Sequence, residues 1–184
     1  VINTYKTHKN FLYYKDSKVF SDIKLVFDKL TKAFLEEVAL NTADVPVIYN
    51  VDVKTTDATT GQIYVEWSRP FADNLDTIVN PGPYVIKLLR ATGLNGTNYT
   101  LIKTVNASTY SAITDTSFLD SGLNTIANAY NYKVVFYART NDSLGSSEMA
   151  SSVFLSVSPA FEELNLSWVF NVPWVNSSYV IFRK

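Results

Sequence analysis

Apolar and polar positions alternate in short runs along most of this chain. Ile63, Val65 and Trp67 alternate with Gln62, Tyr64 and Glu66. Tyr84, Ile86, Leu88 and Arg90 follow the same rhythm, and so do Tyr132, Val134, Phe136 and Ala138. A period of two sets one group of side chains on one face, the mark of a strand with one side in a core. Turn formers separate the runs: Asp57 to Gly61, a long loop from Arg69 to Pro83, Gly93 to Asn98, and Asn141, Asp142, Ser143 and Gly145. Taken in order, the pattern predicts a first strand through Val47, Tyr49, Val51 and Val53, opened by Pro46 where no ladder donor is needed. Strands at 63–67, 84–90 and 99–105 follow. An irregular strand lies within 107–119 and ends in Ser-Phe-Leu-Asp120. The Tyr132 strand comes next, then a return strand through Met149, Ser151, Val153 and Leu155. Residues 45–157 are therefore expected to form seven strands in two sheets, with Trp67, Ile86, Tyr132, Val134 and Phe136 turned inward.

The pattern then restarts. Leu164, Leu166 and Trp168 repeat Ile63, Val65 and Trp67, and Tyr179 to Arg183 repeats Tyr84 to Arg90. The two tryptophans stand 101 positions apart (168 − 67), close to the ~100 residues of one immunoglobulin-like sandwich. Residues 158–184 are thus read as the first strands of a second module. Ser151 to Val157 fits two roles, the last strand of the first module and the first of the next. Leu155 lies 13 before Trp168 and Val53 lies 14 before Trp67. The near absence of a linker predicts a stiff junction. Residues 1–44 admit two readings. Ile23, Val26, Phe27, Leu30, Phe34 and Val38 fit a helical face, while strands around 19–28 and 33–40 would make the tail of a preceding module or a connecting segment.

Composition narrows the class. Of 184 residues, 47% are hydrophobic and 18% charged, which marks a folded chain. Net charge is −1, with Lys and Arg scattered, so no basic footprint points to nucleic acid. No apolar run reaches the roughly 20 residues of a membrane span. Cysteine is absent, which excludes disulfides, thiolate metal sites and Cys nucleophiles. No secretion signal is visible at the start, and opening on Val1 points to a mature product or a part of something longer.

Candidate chemistry is sparse, and no enzyme, cofactor or metal is expected. His8 is the only histidine, and nothing supplies it with a nucleophile and an orienting carboxylate. Glu36-Glu37 and Glu162-Glu163 are adjacent pairs, whose side chains would face opposite ways on a strand. Asp73-Asn74-Leu75-Asp76 offers three oxygen side chains to a hard cation, but its spacing suits a turn better. Trp174 and Tyr110 fit either stacking on a sugar or filling space between modules.

The stretch Tyr132 to Ser152, YKVVFYARTNDSLGSSEMASS, resembles the last two strands of a fibronectin type III domain. The resemblance implies an all-β, immunoglobulin-like sandwich in tandem modules. It makes Tyr132 a tyrosine corner, its hydroxyl bonded back to the backbone near the strand start. Val45-Pro-Val-Ile, Asn80-Pro-Gly-Pro-Tyr84, Arg90-Ala-Thr-Gly-Leu-Asn-Gly96 and Asn171-Val-Pro-Trp-Val-Asn176 are similar to the type III repeats of large Bacteroidota surface proteins. Those proteins carry a gliding-motility-associated C-terminal domain and are exported by the type IX secretion system. The likeness implies an extracellular or cell-surface location. It also implies O-glycans at Asp-Ser/Thr-apolar sites, here Thr77 in Asp76-Thr77-Ile78 and Ser143 in Asp142-Ser143-Leu144, both expected in loops. Six Asn-x-Ser/Thr sites, at Asn95, Asn98, Asn106, Asn141, Asn165 and Asn176, matter only in a host that performs N-glycosylation.

The function expected is a non-enzymatic structural module in a long surface protein, serving adhesion, gliding or envelope assembly. Its partners would be other modules of the same polypeptide, with cell-surface proteins or glycans as a further class. The alternatives are a glycan- or protein-binding recognition module and an accessory domain of an exported hydrolase.

Overall fold

Ten antiparallel strands make up the regular structure of residues 45–71 and 75–176, which the computed structural model describes. The expectations for 1–44, His8, Glu36-Glu37, Asp73, Asn74 and the 179–183 repeat lie outside those residues. The strands are β1 (Ile48–Thr55), β2 (Gly61–Trp67), β3 (Tyr84–Thr92), β4 (Thr100–Ala107) and β5 (Ser117–Leu123). They continue with β6 (Tyr130–Ala138), β7 (Asp142–Ser146), β8 (Ala150–Ser151), β9 (Phe154–Ala160) and β10 (Glu163–Val169). One sheet has the order β1-β2-β5; the second runs β4-β3-β6-β7, with β8 also on β6. Their inner faces share one core, so the arrangement is a sandwich. β9 and β10 form a separate two-stranded sheet.

Alternation does what it should where strands are regular. Ile63, Val65 and Trp67 of β2 are buried, as are Tyr84, Ile86 and Leu88 of β3 and Tyr132, Val134 and Phe136 of β6. Tyr84 and Phe136 stack with ring centroids 5.6 Å apart, a geometry that adds to their area burial. Trp67 is 1% exposed and its indole N–H has no hydrogen-bond partner among the described residues. Among the described residues its side chain is held by packing.

Four strand expectations need correction. In β1 the buried residues are Ile48 and Val51, whereas Val47 and Tyr49 point outward. A register irregularity between Ile48 and Asn50 puts an extra residue into the ladder there, and one extra residue inverts every face before it. β5 begins at Ser117 and runs on to Leu123, later than expected. Part of the stretch before it is a 3-10 turn, Tyr110–Ala112. The β6–β7 turn is Arg139-Thr140-Asn141. Arg139 (φ 44°) and Thr140 (φ 72°) take the left-handed conformation, so no glycine marks it. Gly145 lies inside β7, at φ 145° beside a register irregularity.

The fourth correction concerns the return strand. Asn131 pairs with Ser151 and Tyr132 with Ala150, and β8 ends there. Residues from Phe154 on pair with β10 instead. The stretch 151–157 is therefore not one strand: it breaks at Ser152-Val153, with Ser151 paired to β6 and the residues from Phe154 onward paired to β10. Leu155 pairs with Trp168, whereas the residue that pairs with Trp67 is Ile48 and not Val53, so the matching spacing of Leu155 and Val53 does not carry over into matching pairs. The reason is loop length: residues 56–60 join β1 to β2, but only Phe161 and Glu162 join β9 to β10.

Candidate functional site

Three polar or apolar constellations stand out, and the first ties the sheets together. Arg90 is in phase with Tyr84, Ile86 and Leu88, so its side chain leans toward the core. Asp120 of β5 is 4% exposed. The Arg90 guanidinium donates to Asp120 Oδ1 (2.8 Å) and Oδ2 (3.0 Å). The Tyr132 hydroxyl donates to Asp120 Oδ2 (2.9 Å). Asp120 belongs to one sheet, Arg90 and Tyr132 to the other, so the network crosses the interior. Burial, reinforced by the negative charge of Asp120, pushes the Tyr132 hydroxyl well above its ordinary pKa. The expected role of Tyr132 is thereby corrected: its hydroxyl meets a carboxylate, not the backbone. The tyrosine that meets upstream backbone is Tyr130, whose hydroxyl accepts from the Asn124 N–H (3.2 Å). Residues 124–129 make a turn of their own, with Asn124 Oδ1 accepting from the Ala127 N–H (2.9 Å). That turn lengthens the connection and leaves room for two tyrosines. Half of the signal was present in the sequence: Arg90 is in phase with an inward-facing set and so calls for a buried partner, but Asp120 ends a strand too irregular to show which face it takes.

The second constellation is the end of the sandwich where β2–β3, β4–β5 and β6–β7 loops meet. Arg69 donates to the Tyr110 carbonyl (2.9 Å) and lies over the Tyr110 ring, while the Tyr110 hydroxyl donates to the Pro70 carbonyl. The Arg139 guanidinium donates to the Val79 carbonyl (2.6 Å) and to Asp142 (3.1 Å). The Arg139 and Thr140 N–H groups donate to the carbonyls of Pro81 and Pro83. Thr77 sits exposed in this end, on a turn held by Asp76 Oδ1, which accepts from the N–H groups of Ile78 (2.8 Å) and Val79 (3.1 Å). Those bonds make Asp76 a turn former. Ser143 is also exposed, but it lies in β7 and not in a loop, opposite Tyr137. Thr77 and Ser143 are thus at one end of the fold, bridged by Arg139. Phe71, Ile78 and Val79 expose apolar surface there, whereas Tyr110 is absorbed into packing.

The third is the junction with the β9–β10 hairpin. The Ser151 N–H donates to the Asn171 carbonyl (2.7 Å), and the Asn171 N–H donates to Ser151 Oγ (2.6 Å). The Asn171 side-chain amide donates to Asn95 Oδ1. Val172 and Trp174 pack against the core of the sandwich, and the Trp174 indole donates to Asn176 Oδ1 (3.0 Å). Trp174 therefore fills space at the junction. The β3–β4 turn carrying Asn95 is itself held by Asn131. That residue is fully buried and donates to the carbonyls of Gly93 (2.8 Å) and Gly96 (3.1 Å). Its Oδ1 accepts from the Tyr99 hydroxyl (2.7 Å). Nothing in the strand pattern marked Asn131, because it lies on the face of β6 opposite Tyr132 and Val134 and is buried only once the β3–β4 turn folds over it.

Among the described residues no group of three or more His, Cys, Asp or Glu could hold a metal ion. No helix there is long and apolar enough to cross a membrane. Of the paired glutamates, Glu162 occupies the hairpin turn at φ 60° and Glu163 opens β10. No family model matches the chain, and no curated protein matches it.

Proposed function

We propose that residues 45–152 are a fibronectin type III-like module, that the β9–β10 hairpin opens a second one, and that both belong to a stiff rod in a long multidomain bacterial surface protein. The strand orders β1-β2-β5 and β4-β3-β6-β7 support the module type, since they match the two-sheet division of an immunoglobulin-like sandwich with few strands. The tandem reading draws on the hairpin registers. Val51 pairs with Val65 in the first hairpin and Val157 with Leu166 in the last. On this reading the protein is a spacer that serves adhesion, gliding or envelope assembly without chemistry of its own.

The observation that carries the rod is the junction. Ser151 and Asn171 are bonded on both sides of the hairpin's base, and only Ser152 and Val153 separate β8 from β9. A connection held at both ends has little freedom to bend. The test is a distance distribution between spin labels at Leu119 and Ser158, placed through cysteines in a chain that has none of its own. A narrow distribution fits a spacer; a broad one removes the rod.

Recognition through the loop end is the second reading, favoured by the exposed apolar side chains of Phe71, Ile78 and Val79 in the β2–β3 connection. An oligosaccharide or protein ligand held there is lost on Phe71→Ser. Retention of binding in that variant removes this reading.

A further inference from the structure

Asn95 is the only asparagine in the chain that precedes a glycine. The pair lies in the β3–β4 turn, where Asn95 is exposed. The fold requires that glycine, because a Cβ at position 96 would collide with the Thr92 carbonyl oxygen. The residue that lets the turn close therefore also leaves the amide after Asn95 unshielded, since glycine has no side chain to hinder approach to its nitrogen. Among the described residues the Gly96 N–H makes no backbone hydrogen bond. The one hydrogen bond of the Asn95 side chain among them is accepted at Oδ1, from the Asn171 side-chain amide. That leaves Asn95 Nδ2 able to depart, and a donor at Oδ1 stabilises the charge that gathers there when Cγ is attacked.

We infer that Asn95-Gly96 is a self-modifying site whose product releases Asn171 from the β3–β4 turn. The Gly96 amide gives up its proton to water, and its nitrogen attacks Asn95 Cγ. The new N–Cγ bond closes a five-membered succinimide. The Cγ–Nδ2 bond breaks, and Nδ2 takes up a proton and leaves as ammonia. Water then opens the ring. Opening at Cγ gives aspartate. Opening at the Asn95 main-chain carbonyl carbon leaves Gly96 joined through Cγ, an isoaspartate whose main chain is one carbon longer. The turn is pinned on both sides of that insertion: buried Asn131 donates to the carbonyls of Gly93 and Gly96, and Gly96 lies against Thr92. An added carbon between 95 and 96 displaces one of these holds. The oxygen that met Asn171 becomes a main-chain carbonyl, so the contact between the turn and the base of the hairpin is lost with it. The chemistry is the same whether or not the hairpin opens a second module.

Ageing the folded full chain at mildly alkaline pH, followed by peptide mapping, tests this. Isoaspartate is expected at position 95 ahead of every other asparagine, at a rate that rises with pH. Asn95→Gln, whose ring would need six members, should lose it. Hydrogen exchange of fresh and aged protein then reads the consequence. The Ser151 and Asn171 amides, which bond to each other's residue, should exchange roughly fivefold faster after ageing. The Val134 amide should keep its protection, and aged Asn95→Gln should match fresh Asn95→Gln. No isoaspartate at 95 in the folded chain overturns the site, and so does its appearance only in chains unfolded by denaturant. Isoaspartate at 95 with unchanged exchange at 151 and 171 overturns the release of Asn171. The label-distance measurement at the junction is made on fresh protein, so a failure here and a failed rod are told apart.

Discussion

Ser151 and Asn171 hold each other by two hydrogen bonds that run in opposite directions, Ser151 N–H to the Asn171 carbonyl and Asn171 N–H to Ser151 Oγ. Ser151 is 1% exposed, so a lost bond there is not replaced by water. Ser151→Ala removes the acceptor for the Asn171 N–H and should cost about 1–3 kcal/mol. The amides of Phe170, Asn171, Val172 and Trp174 should then exchange faster while those of β6 keep their protection. Equal exchange in both proteins would mean the junction is held by Val172 and Trp174 packing instead.

Trp67 is the largest fully buried side chain. Trp67→Ala should destabilise the sandwich by about 3–5 kcal/mol, read from denaturant unfolding. Because its indole N–H has no partner among the described residues, Trp67→Phe should lose no hydrogen bond, and its cost should be much smaller. A loss below about 1 kcal/mol for the alanine variant would place Trp67 outside the core.

Asp120 is the shared acceptor of Arg90 and Tyr132. Asp120→Ala leaves the Arg90 charge and the Tyr132 hydroxyl without it, and should cost about 3–5 kcal/mol. Tyr132→Phe leaves the Arg90 pair intact, so its cost should be about 1–2 kcal/mol.

The same tyrosine sets an alkaline limit. The folded-state pKa of Tyr132 is raised above its ordinary 10.0 by burial first and by Asp120 second. Folding therefore favours the neutral hydroxyl. The stabilisation is fully present below pH 10 and is lost as pH rises above it, where the unfolded chain ionises and the folded one resists. Tyr132→Phe should flatten the fall in stability above pH 10. An unchanged alkaline limb would assign it to other tyrosines, such as Tyr84 and Tyr99, whose hydroxyls burial also raises.

If the protein is made by a host with the surface-protein glycosylation that the resemblance implies, Thr77 should carry the glycan more readily than Ser143. Thr77 stands on an exposed turn, whereas Ser143 lies in the β7 ladder opposite Tyr137, where a transferase has less backbone freedom to work with. Intact mass and peptide mapping of native material check this. A bare polypeptide from such a host removes both sites.

The sequence by itself determined the all-β class and the inward residues of β2, β3 and β6. It did so because a regular strand writes its two faces into a period of two, and no long-range information is needed to read them. It also wrote Leu164, Leu166 and Trp168 in the same alternation as Ile63, Val65 and Trp67, and both sets lie in strands. Tertiary structure decided the rest. A one-residue irregularity turned Tyr49 outward and Ile48 inward, and no local pattern distinguishes that from an unbroken strand. Left-handed Arg139 and Thr140 made a turn without glycine because the Pro81 and Pro83 carbonyls receive their N–H groups. The Tyr132 hydroxyl found Asp120 rather than backbone because the sandwich brings β5 and β6 face to face across the core. Likewise the pairing of Ser151 with Asn171 and the bonds of buried Asn131 exist only once distant segments meet. Polar groups choose partners by distance in space, which period and composition do not record.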